Sequence, residues 1–328
     1  MAMAMAMTMT MRLPPVPPPV PYFRDPTDLP GPLPTAEEIS DGLSKSDMSL
    51  RRSIQGSEGG VCVVRDMFVV KAGHMVTENE GSTLLFLEQQ CPGIPSPRLY
   101  AMYRKESSGQ LCLVMEYLPG VDLRSLWTSL SLDSKSSIAS QLRSMTAQMR
   151  ALTPPDRFIG GVCGGPLHDP LFSTVKPDRT VNGPFEADDQ VGLALATASK
   201  RNWENSDHHS WLTDYFLRHL PVALRGHRVT FTHADLNSRN ILVEKVPLEM
   251  GLERGAETTG LSPSGPYRIT GIVDWESAGW YPAYWEYASM VGRFHWDSDW
   301  LETVDAVMDP YPLEAAMFLL IMRDLGFA

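Results

Sequence analysis

The chain has 328 residues, 43% of them hydrophobic and 20% charged, with a net charge of −11 and four cysteines. That is chain enough for two lobes with cores of their own, at a composition ordinary for a soluble enzyme. The acidic balance argues against a nucleic-acid partner, because phosphate contacts need a basic face. No run of about 18 apolar residues offers a membrane span. Cys62, Cys91, Cys112 and Cys163 have no Cys-x-x-Cys spacing and are expected as reduced thiols of a cytoplasmic protein.

Residues 1–11 alternate Met with Ala or Thr, and residues 13–34 are proline-rich. Neither stretch builds a core, so residues 1–34 are expected as a disordered or extended tail, with no secretory signal. Thr35-Ala-Glu-Glu38 reads as the capping box of a short helix. Residues 56–60, Gly-Ser-Glu-Gly-Gly, are a weak candidate for a turn over phosphates, and no Gly-x-Gly-x-x-Gly follows. Residues 61–71 read as two β-runs around an Arg65-Asp66 turn. Lys71 closes the second run as the Val-Ala-Ile-Lys lysine of kinases closes its strand. Residues 80–87 form a helical pattern, and Thr77-x-x-Glu80 ahead of it is itself a capping-box spacing. Residues 111–120 read as a buried strand running into a Pro119-Gly120 stop, a candidate hinge segment.

The second half is helix-rich. Ile138, Leu142, Met145, Met149 and Leu152 make one apolar stripe that stops at Pro154-Pro155. Residues 156–185 are irregular, a candidate part of a substrate mouth. Helical patterns return at 190–199 and 211–220, with His208 and His209 as polar helix-end residues. Then comes Phe231-Thr-His-Ala-Asp-Leu-Asn-Ser-Arg-Asn-Ile-Leu-Val243, which sets His233, Asp235 and Asn240 in the order H-x-D-x-x-x-x-N. In a kinase catalytic loop such an Asp orients and deprotonates the attacking hydroxyl, and such an Asn gives its amide oxygen to magnesium on the nucleotide phosphates. A second acidic ligand should end a downstream apolar strand, and Ile269-Thr-Gly-Ile-Val-Asp274 supplies one, beyond a Gly/Ser/Pro-rich surface loop at 251–266. Read singly, Asp274 is equally a helix cap and Asn240 an ordinary turn residue.

Together, the segment 232–243 and the phrase Ile-Val-Asp-Trp-Glu-Ser-Ala-Gly-Trp-Tyr-Pro-Ala-Tyr-Trp-Glu-Tyr-Ala resemble the aminoglycoside phosphotransferase family, in particular its fungal branch, from about Leu33 onward. The resemblance implies an α+β, bilobal, protein-kinase-like fold. A small β-rich nucleotide-binding lobe with a leading helix would take residues 35–118, and a larger, mainly helical catalytic and substrate-binding lobe residues 119–328. It implies ATP, with GTP as the alternative, and Mg²⁺ as cofactors, and a hydroxylated small molecule as acceptor. Asp235 would be the catalytic base, Asn240 and Asp274 the metal ligands, and Lys71 the contact to the α- and β-phosphates. Glu80 would orient Lys71, with Glu78 as fallback. Met115 would lie against the adenine, with Glu116 and Leu118 as its backbone partners. His233, otherwise a possible general base, would brace the loop, as would Glu286 in Tyr-Trp-Glu-Tyr.

Two other classes fit the sequence less well. A pseudokinase or nucleotide-binding scaffold fits poorly with Lys71, Glu80, Asp235, Asn240 and Asp274 all present. A protein kinase is disfavoured by Asn237, where a lysine is usual, and by the short chain between Asp274 and the next helix pattern. Candidate acceptor-lining residues are acidic or aromatic: Asp188, Asp189, Trp280, Tyr281, Trp296, Asp297, Asp299 and Trp300.

Overall fold

The computed structural model describes residues 11–45, 60–174, 176, 178–205, 208–246, 266–293 and 299–327. The glycine-rich turn at 56–59 and the candidate lining residues Trp296 and Asp297 lie outside this set.

The smaller lobe is built on a five-stranded antiparallel sheet in the order β1-β4-β5-β3-β2, from Tyr22–Phe23 (β1), Gly60–Val64 (β2), Phe68–Gly73 (β3), Leu99–Arg104 (β4) and Leu111–Glu116 (β5). Arg65 and Asp66 turn β2 into β3 at φ 55° and 50°, a left-handed geometry that hairpin turns need. Alternation along β3 decides what faces where. Phe68, Val70 and Ala72 join Val114 and Ile39 in one core layer. Lys71, paired with Leu113, falls on the opposite face with Leu111, Leu113 and Met115, which pack with Leu84 and Leu87 of the helix Glu78–Gln90.

Ile39 comes from the helix Ala36–Lys45 (α1), whose N-terminus carries a complete capping box. The Thr35 N–H donates to Glu38 Oε2 at 2.9 Å, and the Glu38 N–H to Thr35 Oγ1 at 3.2 Å. The helix Glu78–Gln90 (α2) has no such box, since Thr77 makes no side-chain cap bond.

The proline-rich segment takes the extended form of the two expected of its composition, but not as a loose tail. Its described part runs extended along the fold and is fastened at both ends. The Arg12 backbone bonds Asp156 twice: its N–H donates to Asp156 Oδ2 at 2.8 Å, and its carbonyl accepts from the Asp156 N–H at 2.9 Å. Tyr22 and Phe23 pair with Met102 and Ala101 of β4. The Arg24 guanidinium forks onto both Glu88 oxygens at 2.9 and 2.5 Å. Composition reveals that this segment has no core of its own but not that a neighbouring sheet edge will take it. A cavity of about 550 Å³ lies beneath it, lined by Val16, Tyr22, Ser82, Phe86 and Trp280 among others, and shares no residue with the catalytic loop.

The larger lobe holds the helices Leu132–Ala151 (α3), Asp188–Glu204 (α4), Trp211–Ala223 (α5), Trp285–Gly292 (α6), Trp300–Val307 (α7) and Pro312–Asp324 (α8). Ile138, Leu142 and Met149 of the expected α3 stripe are buried. Two three-stranded antiparallel sheets carry the site: β10-β9-β6, from Tyr267–Ile272, Ile241–Lys245 and Val121–Asp122, and β7-β11-β8, from Gly160–Gly161, Gly279–Pro282 and Val229–Thr232. The described residues of 156–185 are irregular as expected apart from β7 and short helical turns at Pro170–Phe172 and Arg179–Asn182. The β7–β11 approach depends on glycine: a Cβ at Gly279 would stand 2.5 Å from the Gly160 carbonyl oxygen. Among the described residues, no helix is long and apolar enough to cross a membrane.

Candidate active site

The loop at 233–240, the candidate catalytic loop, spans the gap between β8 and β9, and its backbone is held from several sides. Residues 231–238 are buried except Asp235, which stays partly exposed, so the loop presents one carboxylate to an open side. Ala234 sits at φ 68°, a conformation costly to a residue with a Cβ. Glu286, on α6, offsets that cost by accepting from the backbone N–H groups of His233 (2.6 Å), Ala234 (3.3 Å) and Leu236 (3.4 Å). Burial raises the Glu286 carboxyl, while His233 and these N–H groups oppose the rise.

His233 is committed at both ring nitrogens. The Asp235 N–H donates to Nδ1 at 3.2 Å, so Nε2 must carry the proton that meets the Val273 carbonyl at 3.0 Å. No lone pair remains to take a substrate proton. The ring rests on Trp275, centroids 4.4 Å apart.

Asn240 donates from Nδ2 to the Asp235 carbonyl (2.9 Å) and to Asp235 Oδ2 (3.0 Å), which leaves its oxygen as the end turned from Asp235. The Val273 N–H donates to the Asn240 carbonyl at 2.9 Å, so Asn240 and Asp274 flank the paired ends of β9 and β10. Asp274 adopts φ 66°, ψ 58°, a left-handed geometry that Asp tolerates better than most residues.

The smaller lobe contributes Lys71. Its ammonium lies 2.8 Å from Glu80, 2.7 Å from Asp274 and 2.7 Å from Glu276, joining β3, α2 and the Asp-Trp-Glu turn. Glu80 therefore meets Lys71, and the fallback Glu78 pairs with Arg104 instead. Burial works against the Lys71 charge, but the three carboxylates outweigh it and lift its pKa well above the usual lysine value. Asp274 is lowered: burial opposes its charge, but Lys71 prevails. Burial raises Glu80 and Glu276, and Lys71 only partly relieves either. Oxygens of Glu80, Asp274 and Glu276 lie within 4.8 Å of one another, and the cation at their centre is Lys71. The three carboxylates, with the Asn240 backbone carbonyl bonded to the residue before Asp274, make a hard-oxygen surround that suits magnesium.

At the expected hinge, the Glu116 N–H donates to Arg98 O at 2.9 Å and the Tyr117 N–H to Met67 O at 3.1 Å. Met115 is buried beside them, and Leu118 packs over Gly271, where a Cβ would stand 2.7 Å from Leu118 Cδ1.

Several members of this constellation do not emerge from the sequence. Glu276 stands two residues after Asp274, inside the phrase that carries the family resemblance. Asn79 ties α2 to that turn through the Glu276 and Ala278 carbonyls (2.9 and 2.8 Å). Arg293 lies beside Asp235, and Asp169 holds the other end of its guanidinium. Conversely, Trp280, Tyr281 and Trp300 are buried core residues, a correction to their expectation as acceptor lining. Asp188 instead accepts from the His227 N–H at 2.7 Å, and Asp299 binds Lys135 and Trp127.

Residues 49–251, well over half the chain, match the model of the phosphotransferase enzyme family, and the chain belongs to that family. The fold is protein-kinase-like. A thermostable mutant of aminoglycoside phosphotransferase APH(4)-Ia, in ternary complex with AMP-PNP and hygromycin B, is 14% identical at a TM-score of 0.51, with 83% of this chain and 82% of that one covered. Wild-type aminoglycoside 2'-phosphotransferase-IIIa in its GDP complex is also 14% identical, at 0.50, with 83% and 80% covered. At that identity the likeness is one of fold. No curated protein matches the sequence.

Proposed function

We propose that this protein transfers the γ-phosphoryl group of ATP to a hydroxyl of a small molecule, with Asp235 as the base. The observation that carries the reading is the meeting of Lys71, Glu80 and Asp274 beside a loop whose one outward carboxylate is Asp235. Residues 35–118, joined at the sheet edge by the strand Tyr22–Phe23, then form the nucleotide lobe and 119–328 the catalytic and acceptor lobe. Met115, with the backbone of Glu116 and Leu118, takes adenine or, as the alternative, guanine. The nucleotides named in the complexes of APH(4)-Ia and 2'-phosphotransferase-IIIa are in keeping with either base.

Phosphoryl transfer asks a protein mainly for position and for charge where the transition state develops it. Lys71 exchanges part of its carboxylate contact for the α- and β-phosphates, and Glu80, buried at its back, keeps the ammonium aimed. Asn240 and Asp274 would hold magnesium, which supplies neutralisation at the phosphate oxygens. Asp235 accepts the acceptor's hydroxyl proton as the new O–P bond forms, and the bond from the γ-phosphorus to the β,γ-bridging oxygen breaks to release ADP. His233 and Glu286 keep the loop in shape. The free cysteines, three of them buried, agree with a cytosolic setting.

The test is ADP formation by purified protein with magnesium-ATP across libraries of hydroxylated metabolites and antibiotics. At least one acceptor should stimulate ADP release and appear as its phosphate ester. ATP binding that is indifferent to magnesium, with no stimulation by any acceptor, would point to a nucleotide-binding scaffold.

A further inference from the structure

Helix α6 and its C-cap residue, Arg293, hold the catalytic loop twice. Glu286 takes the loop's backbone N–H groups, and Arg293, seven residues on and so on the same helical face, takes its other side. The Arg293 guanidinium donates from Nη1 to the Ala234 carbonyl at 3.0 Å and to Asp235 Oδ1 at 3.2 Å. From Nη2 it donates to Asp169 Oδ2 at 2.6 Å. Asp169 is fully buried and fixed in turn: Oδ1 accepts from the Leu171 N–H at 3.0 Å, and Oδ2 from Trp285 Nε1 at 3.0 Å. A rigid planar fork is thus seated on an immobile carboxylate and aimed at Asp235.

We infer that Arg293, anchored by Asp169, is a positioning residue that sets the orientation of the Asp235 carboxylate for attack; the inference rests on Asp235 being the base. Asn240 holds Oδ2 and Arg293 holds Oδ1, so rotation about the terminal torsion, ordinarily broad for Asp, is stopped from both sides. Each oxygen keeps a further lone pair for an acceptor proton. Arg293 also grips the carbonyl of Ala234, the residue at positive φ, so one side chain fixes both the carboxylate and the backbone bend that presents it. A lysine reaches one partner at a time and cannot reproduce the fork.

The experiment measures magnesium-ATP turnover with water in the acceptor's place, by release of ADP, in a double-mutant cycle. Arg293→Ala should lower kcat by about 10²-fold, the scale of an ångström-level misplacement, with KM for ATP within about twofold of wild type. Arg293→Lys should recover part of the loss. In an Asp235→Asn background, Arg293→Ala should cost little more, because residues that act as a unit are not additive. The combination Arg293→Met with Asp169→Asn leaves no buried unpaired charge. It should fold, at a Tm lowered only by the bond that Trp285 Nε1 loses, and still show the kcat loss, which keeps the test open if Arg293→Ala fails to fold. Multiplicative losses in the cycle, or a raised KM with kcat preserved, overturn the inference and leave Asp235 as the base. Unimpaired turnover in Asp235→Asn overturns both.

Discussion

Asp235 is gripped at both carboxylate oxygens and still keeps an open side, and replacing it with Asn alters its proton chemistry while keeping its size. Asp235→Asn should lower acceptor phosphorylation by about 10² to 10⁴-fold with ATP affinity unchanged, as read by initial rates beside calorimetric titration. At Asp274 the informative change is also to Asn, because Asn tolerates the left-handed backbone found there and the result then reports on charge. Asp274→Asn should abolish the part of ATP binding that depends on magnesium. Equal affinity in the wild-type protein with and without magnesium would remove Asn240 and Asp274 from metal binding. His233, Asp235, Asn240 and Asp274 are legible in the sequence because spacing within one loop and at the end of one strand reveals them. Glu276 and Asn79 are not, since each acts through a partner about 200 positions away, and local pattern carries no trace of such contacts. Arg293 leaves a fainter sign in its seven-residue offset from Glu286. Asp169 announces only a helical turn, as an Asp before Pro170.

At the scale of elements, the two termini of α1 and α2 behave differently for reasons that composition hides. Thr-x-x-Glu occurs before both. At Thr35 it closes as a capping box, whereas at Thr77 the glutamate is drawn to a buried lysine, an interaction the local sequence cannot weigh. Glu38 also meets Arg65 of the β2–β3 turn at 2.7 Å, and the hydrogen bond from Arg65, aided by the Thr35 N–H, lowers its pKa to about 2 from the ordinary 4.5. A carboxyl lowered in the folded state contributes stability in full above about pH 4.5 and loses it as pH falls towards 2. The difference in urea midpoint between wild type and Glu38→Gln should therefore be constant near neutrality and shrink across that window; a difference that grows on acidification would contradict the assignment. The Arg24–Glu88 fork is a second clasp. Arg24→Ala should cost about 1–2 kcal/mol, the range for charge-assisted hydrogen bonds with one partner part-exposed, measured by chemical denaturation.

Across the whole molecule, only ten residues separate Asp274 from α6, and they are already occupied by a helical turn at Trp275–Ser277 and by β11. No stretch there is free to lay out a peptide. Labelled ATP should therefore mark components of a metabolite pool and leave a mixed peptide array unlabelled; the reverse result would make this a protein kinase. The bilobal plan and the helix-rich half are readable from pattern and family resemblance, but the path of residues 12–24 is not, because proline-rich sequence specifies stiffness and not destination. That stiffness matters once both ends are fastened, at Asp156 and at β4 with Glu88. Proline locks φ near one value, so such a run resists shortening as well as stretching and works as a strut of set length. A strut of set length between Asp156 and β4 would hinder simple parting of the lobes more than a swivel about it. A protein trimmed to begin at Thr35 would keep every residue assigned to chemistry and lose this guide, and amide exchange in α2 should quicken in it while the catalytic loop stays protected.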